Sequence, residues 1–423
     1  MSDTQGESKY SCWDFLITCV GLPLFLTDIG LDIWAAIIFY QEKAYACLGV
    51  LLLLLVGSTL LAQAYSWLWY SYDQFKMKTK VEGLPTQRQL TVLHVCQLGV
   101  YVRHAGVLEM AVQSMYNRLP DPEKGALTPG EQKPKTEDIT VSLTHDLSML
   151  RIIETFSESA PQLTLMLTII LQTGHLDPVT VLKAVGSASA IAFTVTAYHR
   201  SLRSFLPDKE KQQITSSVIY FTWNLVLISS RLTALALFAS VLPCFIFAHF
   251  ICSWLVLFFF AWRSKTDFME SPCGEWLYRA TVGLIWYFNW FSVVEGKTRY
   301  RTALYHGYIL TDICILCAVW CWKMSTDPPD FVIEPMHALI TAACVVAVYI
   351  LGLILKAIYY KLFHPNLDKS KIKGTSREQQ PVNEPNMGDE PDACMFRAKA
   401  APSPPPQPCC NKRMRKLAES FYC

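Results

Sequence analysis

WDFLITCVGLPLFLTDIGLDIWAAIIFY, residues 13–40, is long and apolar enough to cross a bilayer, yet it carries Asp14, Asp28 and Asp32. A membrane helix needs about 20 predominantly apolar residues, and carboxylates inside one are costly enough to mark a pathway or a buried pair. The spacings of 14 and 4 residues place all three within about 40° of one another on a helix. The ladder they form is about 27 Å long, nearly the hydrocarbon thickness, with Pro23 as a point of kinking. A carboxylate stripe therefore runs along one face of the first span.

The rest of the chain fits the same solvent. Its 423 residues are 52% hydrophobic and 17% charged, against about 25% charged in a soluble domain. The net charge is +2, and the charges fall in blocks between apolar runs, so no basic face offers a nucleic-acid site. Residues 1–12 are a polar start, expected in the cytoplasm. The apolar stretch after them is broken by acids, unlike a signal peptide, and is expected to stay in the mature chain. Most of the fifteen cysteines lie in apolar segments as small hydrophobes. Cys314 and Cys317 form a C-x-x-C with no second pair or histidine at zinc spacing, so no metal site and no cofactor is expected.

Ten stretches approach spanning length: 13–40, 44–70, 89–117, 144–172, 178–198, 215–239, 241–262, 276–295, 302–322 and 335–360. Basic loops, expected on the cytoplasmic side, occur at Lys76 to Arg88, Arg200 to Lys211, Arg263 to Lys265, Lys297 to Arg301 and Lys361 to Lys373. If all ten stretches crossed, the first two of these loops would face opposite sides. Parity is restored if 89–117, with His94, Arg103, His104 and Glu109, and 276–295 enter without crossing. The expected fold is all-α: a polytopic membrane domain over 13–365 with eight transmembrane helices, two re-entrant or partly inserted segments and both termini cytoplasmic.

Beyond Pro365 the apolar pattern ends, and 366–410 reads as a disordered cytoplasmic tail. In 411–423, Met414, Leu417, Ala418, Phe421 and Tyr422 recur at helical spacing, which predicts a short amphipathic helix. Such a short helix is stable only when docked on something; attraction of Lys412, Arg413, Arg415 and Lys416 to anionic lipid is the competing use.

Further charges lie in or beside the apolar stretches. Arg151, Glu154 and Glu158 share a face at i, i+3, i+7, and Arg103, Asp146, Arg231 and Asp312 add to the set. Two uses remain open: ion pairs that fix helix packing, or a polar track for ions, solutes or lipid headgroups. Gly296-Lys297-Thr298 lacks the earlier glycine of a phosphate-binding loop, and no H-E-x-x-H or G-x-S-x-G occurs, so neither an ATP-driven pump nor a membrane hydrolase is supported. The chain is not expected to be an enzyme.

Asp28-Ile-Gly-Leu-Asp32-Ile-Trp, Asp146-Leu-Ser-Met-Leu-Arg151-Ile-Ile-Glu154-Thr-Phe-Ser-Glu158-Ser-Ala-Pro-Gln, Tyr198-His199-Arg200, Ser217-Val-Ile-Tyr-Phe-Thr-Trp-Asn224, Thr266-Asp-Phe-Met and Glu275-Trp-Leu-Tyr-Arg279 together resemble the XK-related (Xkr) membrane proteins over nearly all of 13–365. The resemblance implies eight spans with two partly inserted helices, in agreement with loop parity. It also implies that Asp14, Asp28, Asp32, Arg103, Asp146, Arg151, Glu154, Glu158, Arg231 and Asp312 form a hydrophilic ladder for headgroups. The activity implied is a caspase-activated phospholipid scramblase of the plasma membrane that exposes phosphatidylserine during apoptosis. The implied partners are phospholipids, an effector caspase and a single-span immunoglobulin-type chaperone, basigin or neuroplastin. Where close members carry Trp and Asp before the Tyr-His-Arg string, this chain has Phe193 and Ala197, so no role carries over to those positions.

Asp389-Glu-Pro-Asp392-Ala393 resembles an effector-caspase site. Asp327-Pro-Pro-Asp330 has the same spacing, but Phe331 comes next and parity places it outside the cell. Cleavage after Asp392 would remove the helix bearing Met414, Leu417 and Phe421, which is expected to hold the resting protein inactive. An ion or small-solute transporter using the same track, and a non-transporting scaffold, are the alternative readings.

Overall fold

Long runs of Leu, Ile, Val and Phe leave backbone polar groups no solvent partner in a bilayer, so the chain satisfies them internally as helix. A computed structural model of the protein describes residues 12–116, 132–174, 178–205, 212–264, 266–292, 298–326 and 335–363. Its helices are α1 (Cys12–Gln41), α2 (Tyr45–Tyr72), α3 (Gln87–Val95), α4 (Gly99–Tyr116), α5 (Gln132–Glu154), α6 (Ala160–Thr173), α7 (Pro178–Phe205), α8 (Ile214–Val241), α9 (Phe245–Arg263), α10 (Pro272–Phe288), α11 (Thr298–Thr326) and α12 (Pro335–Ile358). A π turn, Thr155–Ser159, joins α5 to α6 without a break, and a second, Tyr359–Phe363, extends α12. The protein is an all-α polytopic membrane protein. The caspase-type string at Asp389, Asp392 and Ala393 and the segment with Met414, Leu417 and Phe421 lie outside the described residues.

Among the described residues seven helices, α1, α2, α7, α8, α9, α11 and α12, are long and apolar enough to cross a membrane. The continuous helix of α5, the π turn and α6 occupies the position of the remaining expected span. It stands apart in composition because Asp146, Arg151, Glu154 and Glu158 interrupt it. We call the face of the molecule at which α1 begins the near face, and the opposite one the far face.

The two expected non-crossing segments are short and end at partial depth. Helix α3 opens with a capping box between Thr86 and Gln89. The chain then turns at 96–98, where Gln97 takes a left-handed φ of 63°. The Gln97 carbonyl accepts a 2.8 Å hydrogen bond from Gln63 Nε2. Gln63 lies nine residues before the near-face end of α2, so the tip sits about 14 Å deep. Helix α10 has 17 residues, about 26 Å, which is short of the hydrocarbon thickness. At its deep end the Tyr287 carbonyl accepts from Arg231 Nε at 3.1 Å, and Asn289 Nδ2 donates to Asn224 Oδ1 at 3.1 Å. Asn289, where the backbone becomes extended, and Phe291 are buried, and the Phe291 carbonyl accepts from Trp286 Nε1 at 2.7 Å. Non-helical backbone at membrane depth is tolerated only under such protein cover.

Helix α8 is the axis, packed by α6, α7, α11 and α12. Its Leu227, Ile228, Leu232 and Leu235 are buried, while Phe245, Phe247 and Ile251 on α9 and Leu339, Ile340 and Leu351 on α12 are exposed as the lipid face. Close approach of α12 depends on Gly352, where an added Cβ would stand 2.6 Å from Leu227 Cδ2. The element order of two spans, a short inserted segment and two spans occurs twice, over α1 to α7 and α8 to α12, in the manner of parallel internal repeats.

Candidate functional site

The stripe on α1 faces α5, α6 and α7 across a cleft of about 660 Å³. Asp14, Asp28, Asp32 and Glu42 line it from α1 and the residue beyond its end; Arg151, Ser159 and Gln162 face them, and Lys183 and Arg200 come from α7. From Asp14 to Glu42 the helix rises about 42 Å, so the cleft traverses the whole bilayer. Leu24, Leu31 and Ile169 line it as well. A polar strip and an apolar wall therefore share one groove.

At the near face Arg200 Nε donates to Asp14 Oδ1 at 2.6 Å, and Arg200 Nη1 reaches the Gln212 carbonyl at 3.0 Å and Ser217 Oγ at 3.2 Å. Halfway along, Ser159 Oγ donates to Asp28 at 3.3 Å and Gln162 Nε2 to Asp32 at 2.6 Å. Arg151 pairs with Glu154 at 2.8 Å. Its guanidinium lies 4.5 Å from the centroid of the Phe25 ring, which stacks on His104 at 4.7 Å. These aromatic contacts hold the Arg151 head opposite the α1 stripe.

Glu158 stands behind the groove, where it accepts from the Ser58 hydroxyl of α2. A straight helix would keep Glu158 on the face of Arg151. The π turn at 155–159 adds a residue to that turn and rotates the succeeding residues by about 100°. Glu158 consequently meets α2, and Ser159 takes its place toward the cleft.

The other members of the expected ladder lie away from this groove. Arg103 on α4 donates to Ser66 Oγ at 2.8 Å and the Ser66 carbonyl at 2.9 Å, with its guanidinium 3.8 Å from the Tyr70 ring centroid. Asp146 is buried on α5 outside the lining. Arg231 on α8 and Asp312 on α11 form a 2.5 Å ion pair in the second half of the chain, backed by His249 at 3.0 Å from Asp312.

Sequence reasoning assigns no pathway role to Lys183, Ser159 or Gln162, and it treats Arg200 only as a loop charge. Arg200 is recoverable: four crossings return the chain to its starting side, so Asp14 and Arg200 belong at the same depth. Gln162 is recoverable too, since eleven residues after Arg151 it falls on the same helical face, whereas Ser159 is not, because the π turn that presents it leaves no periodicity signal. Phe193 and Ala197 line the cleft too.

A helical membrane domain with a charged groove along its full depth places the chain among polytopic membrane proteins that carry charged residues inside the bilayer. Within that class, the family model described as XK-related protein matches residues 16–365, and the chain belongs to the XK-related family. It is similar to XK-related protein 8 of Tetraodon nigroviridis, 41% identical over 98% of this chain and 97% of that one. The XK-related protein 8 sequences of Gasterosteus aculeatus, at 44% over 85% and 86%, and Pan troglodytes, at 35% over 84% of each, are similar as well.

Proposed function

We propose that the protein is a caspase-activated phospholipid scramblase in the plasma membrane, with both termini in the cytoplasm. The observation that carries the reading is the groove itself: carboxylates and their donors run from face to face beside an apolar wall. A headgroup moving along Asp14, Asp28 and Asp32 keeps polar partners at every level while its acyl chains stay in lipid. A groove that held only ions would have no need of the Leu24, Leu31 and Ile169 side. Movement is downhill, needs no nucleotide and involves no bond chemistry. Phosphatidylserine held in the inner leaflet would therefore reach the outer one.

In the resting protein the segment with Leu417 and Phe421 holds the near face closed. An effector caspase acting after Asp392 releases it, and a single-span immunoglobulin-type chaperone such as basigin or neuroplastin escorts the complex. The test is reconstitution in liposomes of intact and clipped protein with fluorescent lipid, ion flux being recorded in parallel. Lipid accessibility that rises after clipping supports the proposal. Ion flux without lipid movement would establish the transporter instead, and Asp392→Ala protein that still exposes phosphatidylserine under active caspase would remove the cleavage step.

A further inference from the structure

We propose that Lys183, set against Trp34 at the far end of the cleft, is a binding site for the phosphodiester of a glycerophospholipid. This rests on the lipid-path reading of the groove and adds the point at which a headgroup is captured or released.

The first support is the pairing of the cleft's cations. Arg200 is tied to Asp14 and Arg151 to Glu154. Among the described residues Lys183 has no carboxylate within ion-pair distance. Its ammonium lies 5.5 Å from the centroid of the Trp34 ring. An ammonium on an aromatic face keeps its charge and its three donors available to an anion.

The second support is depth. Helix α1, with 30 residues, is about 45 Å long. Against a hydrocarbon layer of about 30 Å, this leaves about 7 Å of interfacial region at each end. Lys183 lies five residues from the far-face start of α7, about 7.5 Å down. Trp34 lies seven residues from the end of α1, about 10 Å down. Both sit at the hydrocarbon boundary, where phosphates and glycerol lie.

The third support is space. Lys183, Gly186 and Ser187 line the groove together, and a Cβ added at Gly186 would meet nothing within 4 Å. A lysine at this depth on a lipid-facing helix would snorkel to water along open surface; this one is turned across the groove to α1. Farther in, Asp28 and Asp32 repel a phosphate and attract an amine. A cation at the far mouth offsets that repulsion where the phosphate enters or leaves.

The test uses the full-length protein in detergent, with phosphatidylcholine and the phosphate-free monogalactosyl diacylglycerol offered together and bound lipid counted by native mass spectrometry. Lys183→Gln should lower phosphatidylcholine occupancy at least fivefold, Lys183→Arg should retain it, and galactolipid occupancy should not change. Inorganic phosphate at millimolar concentration should displace nothing. Equal loss of both lipids, no loss of either, or displacement by free phosphate overturns the site. Binding through Lys183 by a protein that moves no lipid in liposomes, intact or clipped, would instead overturn the lipid path and leave the site standing.

Discussion

The two halves of the molecule repeat one order of elements but treat their charges in opposite ways. In α1 to α7, acids on the first helix face an open groove and are met by Ser159, Gln162 and Arg200 along it. In α8 to α12 the equivalent pairing is reversed in sign and closed. Arg231 on the first helix of the unit is 0% exposed, bonded to Asp312 and the Tyr287 carbonyl, with His249 bridging Asp312 to the Tyr287 hydroxyl. Intramembrane charge alone does not signal a pathway. A charge pair sealed among helices holds them together, and one that lines a groove can serve a ligand.

The closed pair should respond most strongly to substitution. Removing one partner of a buried ion pair typically costs about 3–5 kcal/mol because the other charge is stranded. Asp312→Ala should therefore lose most folded protein, measured as the monodisperse peak in fluorescence-detected size exclusion. Asp312→Leu combined with Arg231→Met should recover much of it, since apolar replacement of both partners is often neutral. A double variant as damaged as the single would place Arg231 and Asp312 in a functional track after all.

The open half should respond in activity before stability. Asp28→Asn and Asp32→Asn keep shape and hydrogen-bonding capacity while removing charge, and Ser159 and Gln162 remain to bond them. Lipid movement in liposomes should fall about tenfold, about 1.4 kcal/mol in barrier, with the melting temperature of the purified protein unchanged. Loss of rate that always accompanies loss of folded protein would make these acids structural, as in the second half.

Much of this architecture is legible in the sequence because its signals are one-dimensional. The spacing of Asp14, Asp28 and Asp32 defines a face, and the alternation of basic loops picks out 89–117 and 276–295 as segments that enter and return. What is not legible is which charges close on each other. Hydropathy scores lipid and protein interior alike, so nothing marks α8 as the axis or separates Arg231, sealed beside α10, from Arg151, which lines the groove. Arg200 is legible only through crossing parity, since a basic residue at a helix end reads as a topology signal before it reads as a ligand of Asp14. The tail signals at Asp389 to Ala393 and at Leu417 and Phe421 remain readings of the sequence.

The smallest expected effect is also the most specific to the comparison, because one substitution should change sign between the halves. Gly352 and Gly186 both lie inside helices, where glycine is less favourable than alanine by about 1 kcal/mol. At Gly186 an added Cβ meets nothing within 4 Å, so Gly186→Ala should raise stability by up to about 1 kcal/mol. At Gly352 the same methyl stands 2.6 Å from Leu227 Cδ2 and 3.2 Å from Val226 Cγ1. Leu227 is itself buried in the core and cannot swing clear. Overpacking of this kind costs about 1–3 kcal/mol, which outweighs the gain in helix propensity. Thermal unfolding of the two purified variants should therefore move in opposite directions from the parent. A stabilised Gly352→Ala would mean that α8 and α12 can part at little cost, and the second half would lose its claim to be the closed one.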